Sequence, residues 1–352
     1  MAVLGLLYAA TACSWIHDDM QPCPPTEIRV RFEYDYNIMR SDVFKDQVGG
    51  VCVLVFDEQD RFVMEKSESD AALLGEYGYE MVFTDKELKL DTPYRFIALG
   101  WQADEEDLLN QDGAKFRRTV LQPGDGLTAL KLMLDRSATT DEEGCHAVEN
   151  KGCALDTLWM SRNECEATMH LYETTTVTAN LLQLTNHLTV TLRQIDAPAD
   201  IDIEDFDITL TDRNGTVLAD NSLSEEDDML VYTPYVKWNT DFRDDEGHVM
   251  QRAAHADLSF ARLLYHDDWQ KNACLAIRNK KTGVTVAEIN LPDYLAQGRN
   301  SMEQRYSPQE FLDREHTYHL DFFLKGDKWE YVELRISILS WSVRIQNIDV
   351  AL

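Results

Sequence analysis

The chain has 352 residues, with 33 Lys and Arg against 63 Asp and Glu, a formal net charge of −30, and 44% hydrophobic residues. Length suggests about two domains, and this mix of apolar and charged residues is that of a globular chain. The acid excess excludes a protein built to hold a phosphate backbone, since that affinity comes mainly from Lys and Arg. It also excludes adhesion to an anionic leaflet by charge alone. No apolar run reaches the roughly 18 to 20 residues of a membrane-spanning helix.

Residues 1–12, MAVLGLLYAATA, form an apolar run with a small-residue end before Cys13. This pattern reads as the back half of a secretory signal. Ala10, Thr11 and Ala12 are small enough for a signal peptidase cleft, and a small–small–Cys junction is similar to a bacterial lipobox, in which the Cys thiol is acylated. No Lys or Arg precedes Arg29, so a basic n-region is expected upstream of the given start. Cys23-Pro24-Pro25 reads as extended tether, because proline pushes its predecessor out of the helical region. The expected layout is a signal over 1–12, a lipidated tether over 13–26, and two β-sandwiches over 27–150 and 151–352.

Period-two alternation, the mark of half-buried strands, dominates the chain beyond the tether. In EIRVRFEYD, Ile28, Val30, Phe32 and Tyr34 alternate with Arg29, Arg31, Glu33 and Asp35. VCVLVFDEQDRFVMEK predicts a hairpin, YRFIALGW a strand from Tyr94 to Trp101, and TALKLMLD another. Short helices are predicted at Asp104–Asn110, at Ser307–Asp313 with Ser307 as N-cap and Pro308 as N1, and within Ser67–Leu74. The polar stretch 136–165 predicts a long loop or interdomain crossing. Beyond it, at least seven candidate strands make a second all-β block, in which Asn214-Gly215 signals a hairpin turn.

Seven cysteines are present; if Cys13 is acylated, six remain, an even number suited to an exported chain. Cys145, Cys153 and Cys165 lie close in sequence, so one local disulfide among them is expected. Their spacing is not that of a zinc ribbon. Signatures for G-x-S-x-G, H-E-x-x-H, Walker and G-x-G-x-x-G sites are absent from the sequence, so neither an enzyme nor a cofactor is expected. The acidic runs 199–207 and 240–248 lack EF-hand spacing and read as solvated loops. Trp101 and Trp341 read as core residues. Loop-proximal Trp15, Trp159, Trp238 and Trp269 are the candidates for a rival reading, a surface glycan-binding lipoprotein.

The C-terminal segment LRISILSWSVRIQNIDVAL changes its alternation phase twice, which marks a bulge or a change of strand. An apolar strand carrying Trp341, Val343, Ile345, Ile348 and Val350 runs to the chain end. It either closes its own sandwich or augments a neighbour's sheet.

Taken in order, RVRFEYDYN, VCVLVFDEQDRFV, YRFIALGW, FLDREHTYHLDFFL and SWSVRI, preceded by Cys13, resemble the FimB-type, minor-fimbrium anchoring subunits of Bacteroidetes. The resemblance spans nearly the whole mature chain. It implies two tandem transthyretin-like β-sandwiches and an outer-membrane lipoprotein at the base of a type V fimbrium, acylated at Cys13. It further implies a fimbrial stalk subunit as partner, held by strand augmentation. Stalk subunits of such fimbriae lose an N-terminal strand to an Arg-directed protease, and the vacated groove takes a neighbour's strand. In an anchor that strand must stay, and Arg29 and Arg31 fall inside it. The Cys-rich stretch 145–165 departs from the family pattern.

Overall fold

The alternating segments fold as strands, and the chain is all-β with a few short helices. The computed structural model describes residues 23–336 and the backbone of residues 343–346. In chain order the strands are β1 (Glu27–Glu33), β2 (Gly50–Asp57), β3 (Phe62–Glu68), β4 (Glu80–Thr84), β5 (Pro93–Trp101), β6 (Phe116–Arg118), β7 (Lys131–Leu134), β8 (His146–Ala147), β9 (Leu158–Ser161), β10 (Cys165–Thr168) and β11 (Thr174–Gln183). Next come β12 (Thr185–Gln194), β13 (Phe206–Asp212), β14 (Thr216–Leu218), β15 (Leu230–Tyr232), β16 (Val236–Arg243), β17 (Val249–Ala261), β18 (Cys274–Asn279), β19 (Thr285–Asn290), β20 (Thr317–Lys325), β21 (Lys328–Ile336) and β22 (Val343–Gln346). The helices are α1 (Phe44–Gln47), α2 (Ala71–Leu74), α3 (Glu105–Leu109), α4 (Leu291–Ala296) and α5 (Pro308–Leu312).

The first unit is an eight-stranded sheet in the order β3-β2-β5-β9-β11-β1-β4, with β10 pairing to β5. It curls until its ends meet. Across the interior, the Phe83 and Phe96 ring centroids on β4 and β5 are 5.5 Å apart. At the seam, Lys66 Nζ on edge strand β3 donates to the Val82 carbonyl on edge strand β4 at 2.7 Å. The same ammonium pairs with Glu87 at 2.9 Å. The lysine thus bridges the two edge strands, and a charged lysine on an edge also discourages pairing with another chain. Strand β2 is buried on both faces. Val51, Val53 and Val55 join the interior with Val30, Phe83 and Phe96. Cys52, Leu54 and Phe56 join a second apolar cluster that continues through Leu132 and Val217 into the C-terminal unit. Two buried faces explain why GVCVLVFD is continuously apolar.

The second unit packs a six-stranded sheet, β16-β17-β12-β20-β21-β22, on a five-stranded sheet, β19-β18-β13-β15-β8. Leu188, Val190, Leu258, Leu320 and Phe322 from the first share one apolar cluster with Ile208, Leu210, Leu275 and Ile277 from the second. A small sheet, β14-β7-β6, carries strands from both halves of the chain.

The expected boundary at residue 150 does not mark a change of sheet. Strands β9, β10 and β11, all beyond 150, complete the first sheet, and β8, before 150, pairs in parallel with β15 of the second unit. The change comes at Leu184, between β11 and β12. The long polar stretch misled because it contains short strands whose partners are remote in sequence, which local pattern does not reveal.

Asn214-Gly215 is likewise not a hairpin turn. Strand β13 pairs with β15 and β18, whereas β14 pairs with β7 in a different sheet. Asn214 is fully buried. Its Nδ2 donates to the Ala261 and Arg262 carbonyls, and its Oδ1 accepts from Tyr232 Oη at 2.6 Å. At Gly215 a Cβ would stand 2.5 Å from Leu230 Cδ1, so a larger residue would have to displace that side chain. The dipeptide is a buried crossover between sheets.

The predicted β2–β3 hairpin forms. Asp104 caps α3 by accepting from the Glu106 and Asp107 amides, and Ser307 caps α5 by accepting from the Glu310 amide. Within the predicted Ser67–Leu74 segment only Ala71–Leu74 is helical, since Ser67 and Glu68 complete β3. Sequence pattern missed α4, which Asn290 caps and which carries Pro292 in its first turn.

Candidate functional site: the N-terminal strand and the sheet edges

The alternation of EIRVRFE sets Ile28, Val30 and Phe32 into the first unit's interior and leaves Arg29 and Arg31 outward. Strand β1 is hydrogen-bonded on both sides, in parallel to β11 and antiparallel to β4. Parallel neighbours cannot be joined by a short turn, and here the two are separated by most of the unit. The strand therefore occupies a slot whose walls come from distant sequence.

The outward arginines are tied down. Arg29 bonds Glu27 at 2.6 Å and Glu80 at 3.2 Å, and Arg31 bonds Glu80 at 2.5 Å. Burial alone raises the Glu80 carboxyl, but the hydrogen bonds from Arg31 and Arg29 outweigh it and hold that group below its ordinary range. Upstream, the Glu27 amide donates to the Glu173 carbonyl at 3.0 Å, and Thr26 Oγ1 accepts from the Tyr172 amide at 2.8 Å. Strand β1 and its entry are thus built into the unit, and Arg29 and Arg31 sit within a strand paired on both edges.

At the other end of the chain, the β22 backbone pairs antiparallel with β21, Val343 opposite Leu334 and Ile345 opposite Val332. This segment lies at the edge of its own unit's six-stranded sheet. Trp341, Ile348 and Val350 lie outside the described residues, as do Cys13 and Trp15.

The disulfide expected among Cys145, Cys153 and Cys165 is not formed, and all six described cysteines are free thiols. Strand pairing separates them: Cys165 starts β10, bonded to β5 in the first sheet, while Cys145 stands just before β8 in the second unit. Cys145 and Cys165 are buried and Cys153 is exposed. Burial pushes the Cys165 thiol up to about 11, and the Cys52 thiol likewise, so both behave as small apolar side chains.

The aromatic candidates divide. Trp159 is only 1% exposed and meets Tyr34 edge-on at 5.8 Å, so it is core, as is Trp101. Trp238 stacks on His255 at 4.8 Å between ring centroids, on the edge of the six-stranded sheet. Trp269 is exposed on a short 3₁₀ turn. The acidic runs are spent locally: Asp202 caps the Ile203–Asp205 turn, and Asp241 pairs with Arg243 and Arg252. Among the described residues no three His, Cys, Asp or Glu side chains cluster as metal ligands. A cleft of about 510 Å³ runs beside Trp101, Glu105 and Arg118. The Arg118 guanidinium on β6 is held by Glu65 on β3 and Glu105 on α3, which ties these three elements together.

The family model for fimbrillin-A associated anchor proteins Mfa1 and Mfa2 matches residues 20–347. The chain belongs to this family. The family groups fimbrial anchor proteins. No protein of curated function matches the chain. A Bacteroides thetaiotaomicron candidate adhesin is similar, 29% identical over 93% of this chain and 100% of its own, with a TM-score of 0.71. Another protein of that organism, described as a candidate polysaccharide-binding protein, is 28% identical over 91% of this chain and 98% of its own, with a TM-score of 0.68. The fimbrial anchor protein Mfa2 from Porphyromonas gingivalis shares the fold at 16% identity, covering 90% of this chain and 98% of its own, with a TM-score of 0.60.

Proposed function

We propose that the chain anchors a fimbrium to the cell surface as an outer-membrane lipoprotein and ends elongation of the shaft. The observation that carries this reading is β1 seated between β11 and β4 in its own slot. A stalk subunit must vacate such a slot to accept a neighbour's strand; a subunit that keeps it filled offers no seat there. Cys13 is the proposed acylation site. Each buried CH₂ contributes about 0.8 kcal/mol, so two or three chains hold an acidic body at a membrane without a spanning helix.

The proposed contact with the last stalk subunit is the C-terminal segment bearing Trp341, Val343, Ile345, Ile348 and Val350. Its described part is a four-residue strand with one paired edge. Donation to a stalk subunit then requires β22 to leave β21, a small ladder to give up for a new one. Deleting residues 340–352 should release fibres while the remaining protein stays folded; fibres that stay bound would sink the donor role. Metabolic labelling with an alkyne palmitate, in parent and Cys13→Ser proteins, tests the anchor.

Surface glycan binding is the second reading, favoured by the exposed Trp269 and the Trp238–His255 stack. Glycan binding lost in Trp238→Ala or Trp269→Ala would support it.

A further inference from the structure

Register fixes which loops share an end of the first unit. Glu27 pairs with Thr84 and Thr174, while Arg31 pairs with Glu80. The β4–β5 loop, residues 85–92, leaves from Thr84, and the β10–β11 loop, residues 169–173, arrives at Thr174. Both therefore sit beside Thr26, where the N-terminal segment enters. They are bonded together, the Asp91 amide to the Met169 carbonyl at 2.8 Å and His170 Nδ1 to Asp91 at 2.9 Å. Tyr77, in the β3–β4 loop before Glu80, belongs to the opposite end, about 20 Å away along a seven-residue strand.

The tether end exposes large apolar side chains among its charged ones. Leu90 is 40% exposed, Leu171 56% and Tyr172 59%, with exposed Pro24, Pro25 and Pro93 beside them. Tyr172 also has a φ of +59°, an uncommon backbone for a bulky residue. Its amide is fixed by Thr26, which holds the ring at the tip of a strained loop. Lys86 and Lys89 are offset by Asp85, Asp91 and Glu173, so the tip carries no basic excess.

We propose that this end of the first unit rests on a lipid surface, with Leu90, Leu171 and Tyr172 entering the boundary between headgroups and acyl chains. The inference rests on the reading of Cys13 as the lipid attachment residue. Cys13 and Thr26 are 13 residue steps apart (26 − 13), a reach of at most about 45 Å, so acylation at Cys13 brings the end where the tether enters within reach of the bilayer. An apolar contact suits a chain at −30, which no anionic surface attracts, and a tyrosine suits the interface because one end of its ring is polar. The patch supplies a second, weak attachment beside the acyl chains and orients the β units outward.

The test is photo-crosslinking in neutral phosphatidylcholine vesicles doped with a diazirine-bearing phospholipid, read by peptide mapping. Acylated protein should be labelled in peptides spanning 85–93 and 169–173 several-fold above the peptide containing Tyr77, which is 90% exposed. Leu90→Asp with Leu171→Asp should remove that labelling while leaving the protein on the vesicles. The Cys13→Ser chain, held to nickel-chelating lipid by a hexahistidine tag in place of residues 1–12, should give the same map. Loss of acylation would thus defeat the anchor reading alone. Equal labelling at both ends, or none at the tether end, overturns the proposal. So does a concentration-dependent dimer abolished by Leu171→Asp, which would assign the patch to a second copy.

Discussion

The Arg314 guanidinium lies over the Tyr36 ring, 4.0 Å from its centroid, and so joins the C-terminal unit to the N-terminal one. Arg162 stands at the same distance from that ring, and two guanidiniums so close cannot share a face, so the ring is held between them. The Ile38 amide donates to the Arg314 carbonyl at 2.8 Å, and Glu310 pairs with the Arg314 side chain at 3.1 Å. These contacts tie the two β units together on either side of Leu184. Tyr36→Ala should cost about 2 kcal/mol, since it removes two partly desolvated cation–π contacts. Tyr36→Phe should cost under ~0.5 kcal/mol, because the ring remains. Urea unfolding of both variants checks this; equal losses would show that the hydroxyl, not the ring face, matters.

Arg29 and Arg31 should resist an arginine-specific protease while the protein is folded. Both lie within β1, bonded on each side to β11 and β4, and a protease needs an extended strand free at its edges. Cleavage at either bond should follow the unfolded population and appear only near the denaturation midpoint. Rapid cleavage of native protein at these bonds, seen by mass spectrometry, would contradict a closed slot.

Asp212 sets a pH dependence with a definite sign. Burial pushes its carboxyl up to about 7, the Arg213 amide opposes this and Asp227 adds to it. Between the ordinary value near 3.9 and about 7, the folded chain keeps a proton that the unfolded chain has lost. Stability from this group therefore falls as pH rises through that window and levels off above it. His316 acts oppositely: burial lowers it to about 3, with Arg262 and His187 adding to the effect, so stability is lost as pH falls below about 6.5. The parent profile blends both slopes. The Asp212→Asn variant minus parent difference isolates one, and should grow from pH 4 to a plateau of about 2 to 4 kcal/mol above pH 7. A difference independent of pH would contradict it.

Thiol reactivity should follow burial rather than pairing. Cys23 and Cys153 are exposed, whereas Cys52, Cys145 and Cys165 are buried. Under non-reducing native conditions the first two should react rapidly with a maleimide, and the buried three only after unfolding. If Cys145 and Cys165 stay unreactive in denaturant until reduced, a disulfide exists after all.

The sequence was legible where the physics is local. Alternation placed β1, apolar runs around a polar turn placed the β2–β3 hairpin, and Asp104 and Ser307 marked α3 and α5, because strand pattern and capping depend on neighbours a few residues apart. Pairing across long separations was not legible. The parallel match of β1 to β11, the early strand β8 in the second unit, and the seam closed by Lys66 each join residues whose proximity no local pattern encodes. Asn214-Gly215 misled for the same reason: the dipeptide suits a tight turn, yet burial of Asn214 against Tyr232 and the Ala261 carbonyl comes from elements far along the chain. The cysteines misled because nearness in sequence stood in for nearness in space.

Anchoring through Cys13 is tested most directly in cells that carry the fibre. Fibres on cells expressing the Cys13→Ser protein should appear in the culture medium with this chain at one end, and few should remain attached when counted by immunogold electron microscopy. Fibres that stay on the cells in parental number and length would contradict the account.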